Sequence, residues 1–211
     1  MARFLRPGDR VLFQGDSITN AFRMPGERNT AYQLGAGYPL LVASHVQSRR
    51  PAEQISFVNR GVAGETLSMI AARWTADCLE LRPTVLVMLA GTNDVGIPTF
   101  NPARFGREYY QLLERTAEAL PSVRFVICEP FSVPGEVVDA ERMARMAACR
   151  AATRTVAETS GSLLVPLGAA FDQALHEASP EYWCYDGIHP TAAGHGLIAQ
   201  SMLAALGEAS D

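Results

Sequence analysis

The feature that most constrains this chain is the alternation of short apolar runs with helical patterns. Arg10–Gln14, Ile55–Asn59, Thr84–Ala90, Arg124–Glu129 and Ser162–Pro166 read as five strands, most of them nearly continuous apolar stretches. Such runs suit strands covered on both faces, as in a parallel sheet. Helical patterns at Tyr38–Arg50, Thr66–Leu81, Pro102–Leu120 and Ala140–Ser160 lie between them, and Leu167–Glu177 and Thr191–Leu206 follow the last strand. Thr66 and Thr191 stand at N-cap positions, and Gly161 ends the long fourth helix. The alternation predicts an open α/β fold, a doubly wound sheet with helices on both faces. With 211 residues, 48% of them hydrophobic, and no repeat, low-complexity tract or linker, the expectation is a single domain over residues 1–211.

Charge and residue usage narrow the function classes. All eighteen basic residues are arginine. Without a lysine there is no phosphate-loop lysine, no Schiff-base lysine and no Ser-Lys dyad. A net charge of −4, with no basic run, gives no footprint for nucleic acid. No segment approaches the roughly 20 apolar residues of a membrane span, so no membrane partner is expected. The opening MARFLRPGDR has scattered charges and no signal-peptide core, which points to a cytoplasmic protein. Cys78, Cys128, Cys149 and Cys184 stand far apart with no paired metal spacing, and read as single buried or half-buried thiols.

Four short stretches carry chemistry. Ser17 follows the first strand in GDS, Gly61 and Gly64 follow the second in NRGVAGET, and Asn93 follows the third in AGTNDV. Asp186 and His189 lie near the carboxyl end in YDGIHP. In a parallel sheet the first three loops open on one edge, where α/β folds bind their ligands. Each stretch also has a plain structural reading: Ser17 as a cap, Gly64 as a turn, Asn93 as an Asx-turn and Asp186-Gly187 as a turn pair. Serine acyl transfer accounts for all four together, since it needs a nucleophile, a base, an acid that orients the base, and oxyanion donors. Ser17, His189 and Asp186 fill the first three roles. The backbone N–H groups of Ser17 and Gly64 and the Asn93 amide are candidates for the last. Asp16 and Asp94 adjoin these residues and read as groups that hold the loops. Phe131, Trp183 and Tyr185 are candidate substrate contacts, or else core aromatics. His195 reads as a structural helix residue.

Gly15-Asp16-Ser17, the Gly64 loop, Gly91-Thr92-Asn93-Asp94 and Asp186-x-x-His189 resemble the four signature blocks of the SGNH (GDSL-type) hydrolases, in family order. The resemblance implies a three-layer α/β/α sandwich with a five-stranded parallel sheet, a Ser17–His189–Asp186 triad, and Ser17, Gly64 and Asn93 as oxyanion donors. The first block reads GDSIT where GDSL is usual. No G-x-S-x-G occurs, which excludes an ordinary α/β-hydrolase nucleophile elbow. LFQGDSIT, GAGYPLLV, VNRGVAGET, ARWTADCL, EPFSVPGE and AAGHGLIA further resemble bacterial intracellular acetylxylan esterases within that family. That likeness implies a small O-acetylated carbohydrate as substrate, no cofactor or metal, and a homo-oligomer. Three rivals stand beside this reading: a metallophosphoesterase using Asp16, Asn93 and His189 as ligands, a noncatalytic carbohydrate-binding module, and a lysophospholipase or thioesterase of the same family.

Overall fold

The strands pair because their apolar side chains alternate between two faces that both need covering. In the computed structural model, which describes residues 3–208, five parallel strands form one sheet. They are β1 (Arg10–Gly15), β2 (Ser56–Asn59), β3 (Val85–Leu89), β4 (Arg124–Cys128) and β5 (Leu163–Val165), in the order β2-β1-β3-β4-β5. The register runs from Val11↔Val85 to Gly15↔Leu89 between β1 and β3. Along β3, Val85, Val87 and Leu89 face one layer while Leu86 and Met88 face the other, the period-2 alternation of a strand. All five β3 residues are buried.

Helices α3 (Tyr38–Arg49), α7 (Leu167–Ala174) and α9 (Ala192–Ala205) cover the first face through Tyr38, Val42, Phe171, Ile198 and Met202. Helices α4 (Leu67–Ala72), α5 (Pro102–Ala119) and α6 (Ala140–Ser160) cover the second through Leu67, Ile70, Phe105, Tyr109 and Met146. This is the three-layer α/β/α sandwich that the sequence resemblance implies. Gly161 ends α6 at φ +64, where a residue without Cβ is favoured. Three short helices complete the set: α1 (Ser17–Asn20), α2 (Thr30–Leu34) and α8 (Pro180–Trp183). The first opens the loop after β1, and the second lies between α1 and α3.

The helix expected over Thr66–Leu81 is broken. Regular α-helix stops at Ala72, and Thr75–Leu79 forms a π turn. Trp74 between them is fully buried and donates its Nε1–H to Thr116 Oγ1 at 2.9 Å, while Arg73 pairs outward with Glu65 and Asp77. Thr66 does occupy the N-cap position, but its side chain does not cap. Both Asp94 carboxylate oxygens, at 3.2 and 3.1 Å, accept the Leu67 N–H instead. The four cysteines are free and buried. Burial pushes the thiols of Cys78 and Cys184 up to about 12, so neither is a thiolate near neutrality. Among the described residues no helix is long and apolar enough to cross a membrane.

Gly15 ends β1 where no Cβ fits. A Cβ there would lie 2.5 Å from the Leu89 backbone oxygen and would also overlap the Thr19 hydroxyl. Gly15→Ala must therefore force β1 and β3 apart or displace α1, and overpacking of this kind costs about 2 kcal/mol. Urea unfolding of the variant is expected to show a midpoint lowered accordingly at an unchanged slope. An unchanged midpoint would mean that the strand ends have room to spare.

Candidate active site

Ser17 is held by three local features. Asp16 precedes it as N-cap of α1, and its Oδ1 accepts the Ile18 N–H at 3.0 Å. After a single turn the chain leaves through Ala21 and Phe22 at φ +42 and +59. From the next loop, Gly61 approaches so closely that a Cβ would lie 2.5 Å from the Asn20 N. The Gly61 carbonyl there accepts from Asn20 Nδ2 at 3.0 Å and Arg23 Nε at 2.8 Å. The serine hydroxyl thus stands half-buried at the end of β1 on a backbone tied to the β2 loop.

The loop bearing Asp186 and His189 is shaped by one carboxylate. Asp186 Oδ1 accepts the N–H groups of Ile188 at 2.9 Å and His189 at 2.7 Å, and Oδ2 lies 2.6 Å from His189 Nδ1. Gly187, at φ +95, is packed against the Val133 carbonyl, and Val133 donates its N–H to the Gly187 carbonyl at 2.9 Å. Burial would raise the Asp186 pKa, but the hydrogen bonds from His189 and Ile188 outweigh it and hold the carboxyl below its ordinary value. An ionised carboxylate only accepts, so Nδ1 carries the ring proton. His189 Nε2 is then free to accept from Ser17 Oγ, 3.0 Å away. The three side chains form one continuous hydrogen-bonded line.

Gly64 and Asn93 come from the loops after β2 and β3, on either side of β1. Gly64 is exposed at φ +80 with open space where a Cβ would stand. Asn93 Nδ2 donates to the Glu65 carbonyl at 2.9 Å, which fixes its amide against the Gly64 loop. Asp94, through Leu67, ties the same two loops together. Two arginines outside the signature stretches fasten the Asn93 loop from α6: Arg142 Nη2 donates to the Thr92 carbonyl at 3.0 Å and Arg145 Nε to the Val95 carbonyl at 2.7 Å. Nothing in their spacing along the chain announces this, because the contact spans 50 residues.

The candidate aromatics separate. Tyr185 is 65% exposed and lies parallel to His189, with ring centroids 5.7 Å apart. Phe131 does not meet the expectation of a substrate contact: it is fully buried and stacks on Phe171 at 3.9 Å within the core. Trp183 is also turned away. Its Nε1–H donates to the Ala174 carbonyl at 3.0 Å, and it lines a separate hollow with Leu197 and Gln173. Phe131 follows β4 and Trp183 precedes the Asp186–His189 stretch, and both rings pack into the α7–α9 layer.

Ser17 and His189 open into a cavity of about 270 Å³ walled by Ile18, Ala21, Phe22, Ala63, Pro190 and Tyr185, with Asn20 and His195 as its further polar members. A larger hollow of about 680 Å³ lies between α5 and α6, away from these groups. Size alone would have chosen it, but the convergent titratable groups mark the smaller cavity. Burial pushes the Asp16 carboxyl up to about 7, against a weaker opposing effect of its bond from Ile18, and pushes Asp94 up to about 6. His195, a structural helix residue by its sequence position, is in the cavity wall. Its only sign in the sequence is its place in the first turn of the helix that follows the His189 loop.

The sequence model of the GDSL-like Lipase/Acylhydrolase family matches residues 13–197. An acetylxylan esterase from Geobacillus stearothermophilus is 30% identical over 208 residues, 95% of this chain and 94% of that protein. The crystal structure of LAE5, an alpha/beta hydrolase from the metagenome of Lake Arreo, superposes with a TM-score of 0.89 at 34% identity over all of both chains. That of Axe2, an acetylxylan esterase from Geobacillus stearothermophilus, superposes at 0.87 with 28% identity, covering 97% of this chain and 96% of the other.

The raised Asp16 carboxyl has a signature in stability. A carboxyl protonated more readily in the folded chain contributes stability that is whole below its unfolded value, 3.8, and is lost as the pH rises through its folded value, about 7. Asp16→Asn keeps an acceptor for Ile18 N–H and never ionises. Its melting temperature is expected to gain on that of the wild type between about pH 4 and about pH 7, then hold a constant difference. A difference independent of pH would contradict the burial of a titrating Asp16.

Proposed function

The chain belongs to the GDSL-like lipase/acylhydrolase family and is a carboxylic ester hydrolase, and on that premise we propose that it removes acetyl groups from small O-acetylated carbohydrates such as xylo-oligosaccharides, through a Ser17–His189–Asp186 triad and an acyl-enzyme. The observation that carries the reading is the unbroken line Ser17 Oγ–His189 Nε2, His189 Nδ1–Asp186 Oδ2 opening into a small cavity. His189 takes the Ser17 proton as Oγ attacks the ester carbonyl, and returns it to the departing sugar oxygen. Water then attacks the acetyl-serine by the same route in reverse. Asp186 stays ionised, orients the imidazole and stabilises the imidazolium that forms.

The tetrahedral oxyanion is met by the backbone N–H groups of Ser17 and Gly64 and by the Asn93 amide. Ser17 is the first helical residue, so its N–H has no partner within α1. One of the two Asn93 amide protons is engaged by Glu65, and the other remains to donate. Acetate suits the modest cavity volume and the apolar walls Ile18, Ala21 and Ala63. Tyr185, exposed and parallel to His189, offers a face on which a sugar ring can lie. Likeness to acetylxylan esterases over nearly the whole chain supports the same substrate class. One observation favours the lysophospholipase or thioesterase reading: Phe22, 91% exposed at the cavity mouth, is an apolar surface that a longer acyl chain could use.

Initial rates on 4-nitrophenyl esters from acetate to octanoate separate the two. The expected result is a steep fall beyond acetate, with acetylated xylo-oligosaccharides also cleaved. A rise toward octanoate would overturn the sugar-acetate reading in favour of the longer acyl chain. Ser17→Ala is expected to lose about 10⁶-fold in kcat, and Asp186→Asn about 10⁴-fold, both without loss of folding. A Ser17→Ala protein that retained its rate would remove the mechanism altogether.

A further inference from the structure

His195 occupies an unusual position for a helix histidine. It sits in the first turn of α9, and its Nδ1 accepts the backbone N–H of Tyr38 at 3.2 Å, at the start of α3. The ring stacks at 26° on Tyr38, and Gly37 approaches it so closely that a Cβ there would lie 2.7 Å from Cε1. The backbone of Gly37 and Tyr38 therefore fixes the imidazole. An Nδ1 that accepts leaves the single proton of the neutral ring on Nε2. Among the described residues Nε2 meets no hydrogen-bond partner and is not sealed from solvent, and the ring lines the Ser17–His189 cavity. Burial lowers the His195 pKa to about 4, so the ring stays neutral through the pH range in which His189 must act as a base.

The other polar members of the cavity are committed or lie at its rim. Asn20 donates one Nδ2 proton to the Gly61 carbonyl and accepts the Phe22 N–H at its Oδ1, which fixes its amide against the backbone. Tyr185 is mostly exposed. His195 Nε2–H is thus a rigid, uncommitted donor in the enclosure that contains Ser17. We propose that His195 is a specificity-determining residue, donating its Nε2–H to a hydroxyl or ring oxygen of the carbohydrate whose acetyl group Ser17 attacks. The inference rests on the sugar-ester reading above and names the contact that selects for it. A donor that meets a substrate oxygen strengthens binding of sugar esters and gives nothing to esters that lack one, which is a basis for discrimination between them.

Two substitutions separate this role from support of the fold. His195→Asn keeps an acceptor near the Nδ1 position for Tyr38 N–H but has nothing at the Nε2 position. His195→Gln reaches the Nε2 position with an amide donor but offers nothing at Nδ1. The measured quantity is the ratio of kcat/KM on an acetylated xylose to kcat/KM on 4-nitrophenyl acetate. His195→Asn is expected to lower this ratio about tenfold or more, mainly through KM for the sugar ester, and His195→Gln to restore much of it. An unchanged ratio in His195→Asn, or equal losses on both esters in both variants, would overturn the inference. A wild type that cleaves 4-nitrophenyl acetate but no acetylated sugar would overturn the substrate reading and this contact with it. Long-range ¹H–¹⁵N spectra of the wild type give a check that needs no variant. The Nε2-protonated tautomer is expected, unchanged between about pH 5 and 8, with an Nε2 shift when xylose is added. An Nδ1-protonated ring, or an Nε2 signal indifferent to xylose, would contradict the proposal.

Discussion

Parallel pairing of β1 with β3 brings the chain out of the sheet twice in adjacent places, once into Ser17 and once into Asn93. Because β2 lies on the other side of β1, the Gly64 loop flanks the same exit. This is the point at which strand order reverses, where an open α/β sheet leaves a crevice at its carboxyl edge. Close packing turns that general crevice into a specific one. Gly15 allows β1 to end against the Leu89 carbonyl, and Gly61 allows the second loop to reach the backbone of α1. The fourth stretch arrives from the far end of the chain. There the Asp186 carboxylate bonds two backbone N–H groups and one ring nitrogen, so the shape of the loop and the orientation of His189 are set by a single side chain.

Much of this was legible because it is local. The continuous apolar runs of β1, β3 and β4 announce strands covered on both faces, and the observed sheet is parallel with helices on both sides. Thr191 and Gly161 cap the helices their positions suggest. Ser17, Asp186 and His189 meet as their residue types and spacing imply, since a carboxylate three residues before a histidine can close a turn on it. What stayed hidden depends on contacts distant in sequence. The N-terminal donor of α4 is capped by Asp94 from another loop, although Thr66 stands in the expected place. Trp74 answers to Thr116 on a neighbouring helix, where the helical pattern gives way to a π turn. Phe131 and Trp183 lie near the strand end and the histidine loop in sequence but pack into the α7–α9 core, and His195 joins the cavity wall from a helix position that looks ordinary.

The surroundings of Ser17 share an electrostatic character. Asp16 immediately before Ser17 is driven toward its neutral form by burial, and His195 toward its neutral form in the other direction. Asp186, by contrast, is kept ionised by the donors arranged around it. Among these three, Asp186 is the one whose surroundings favour its charged form, and it is hydrogen-bonded to His189. In a partly buried site that charge acts on the imidazolium with little screening. With Asp16 and His195 pushed toward their neutral forms and Asp186 held ionised, this arrangement supports the proposed transfer of the Ser17 proton to His189.

The most direct test of the central claim, that Ser17 is a nucleophile activated by His189, is covalent capture. Intact-protein mass spectrometry after reaction with a fluorophosphonate ester, followed by peptide mapping, should reveal one adduct per chain, on Ser17. Its rate of formation should collapse in His189→Ala and in Asp186→Asn. Active protein that takes up no label at Ser17, or that is labelled there equally fast without His189, would contradict the account.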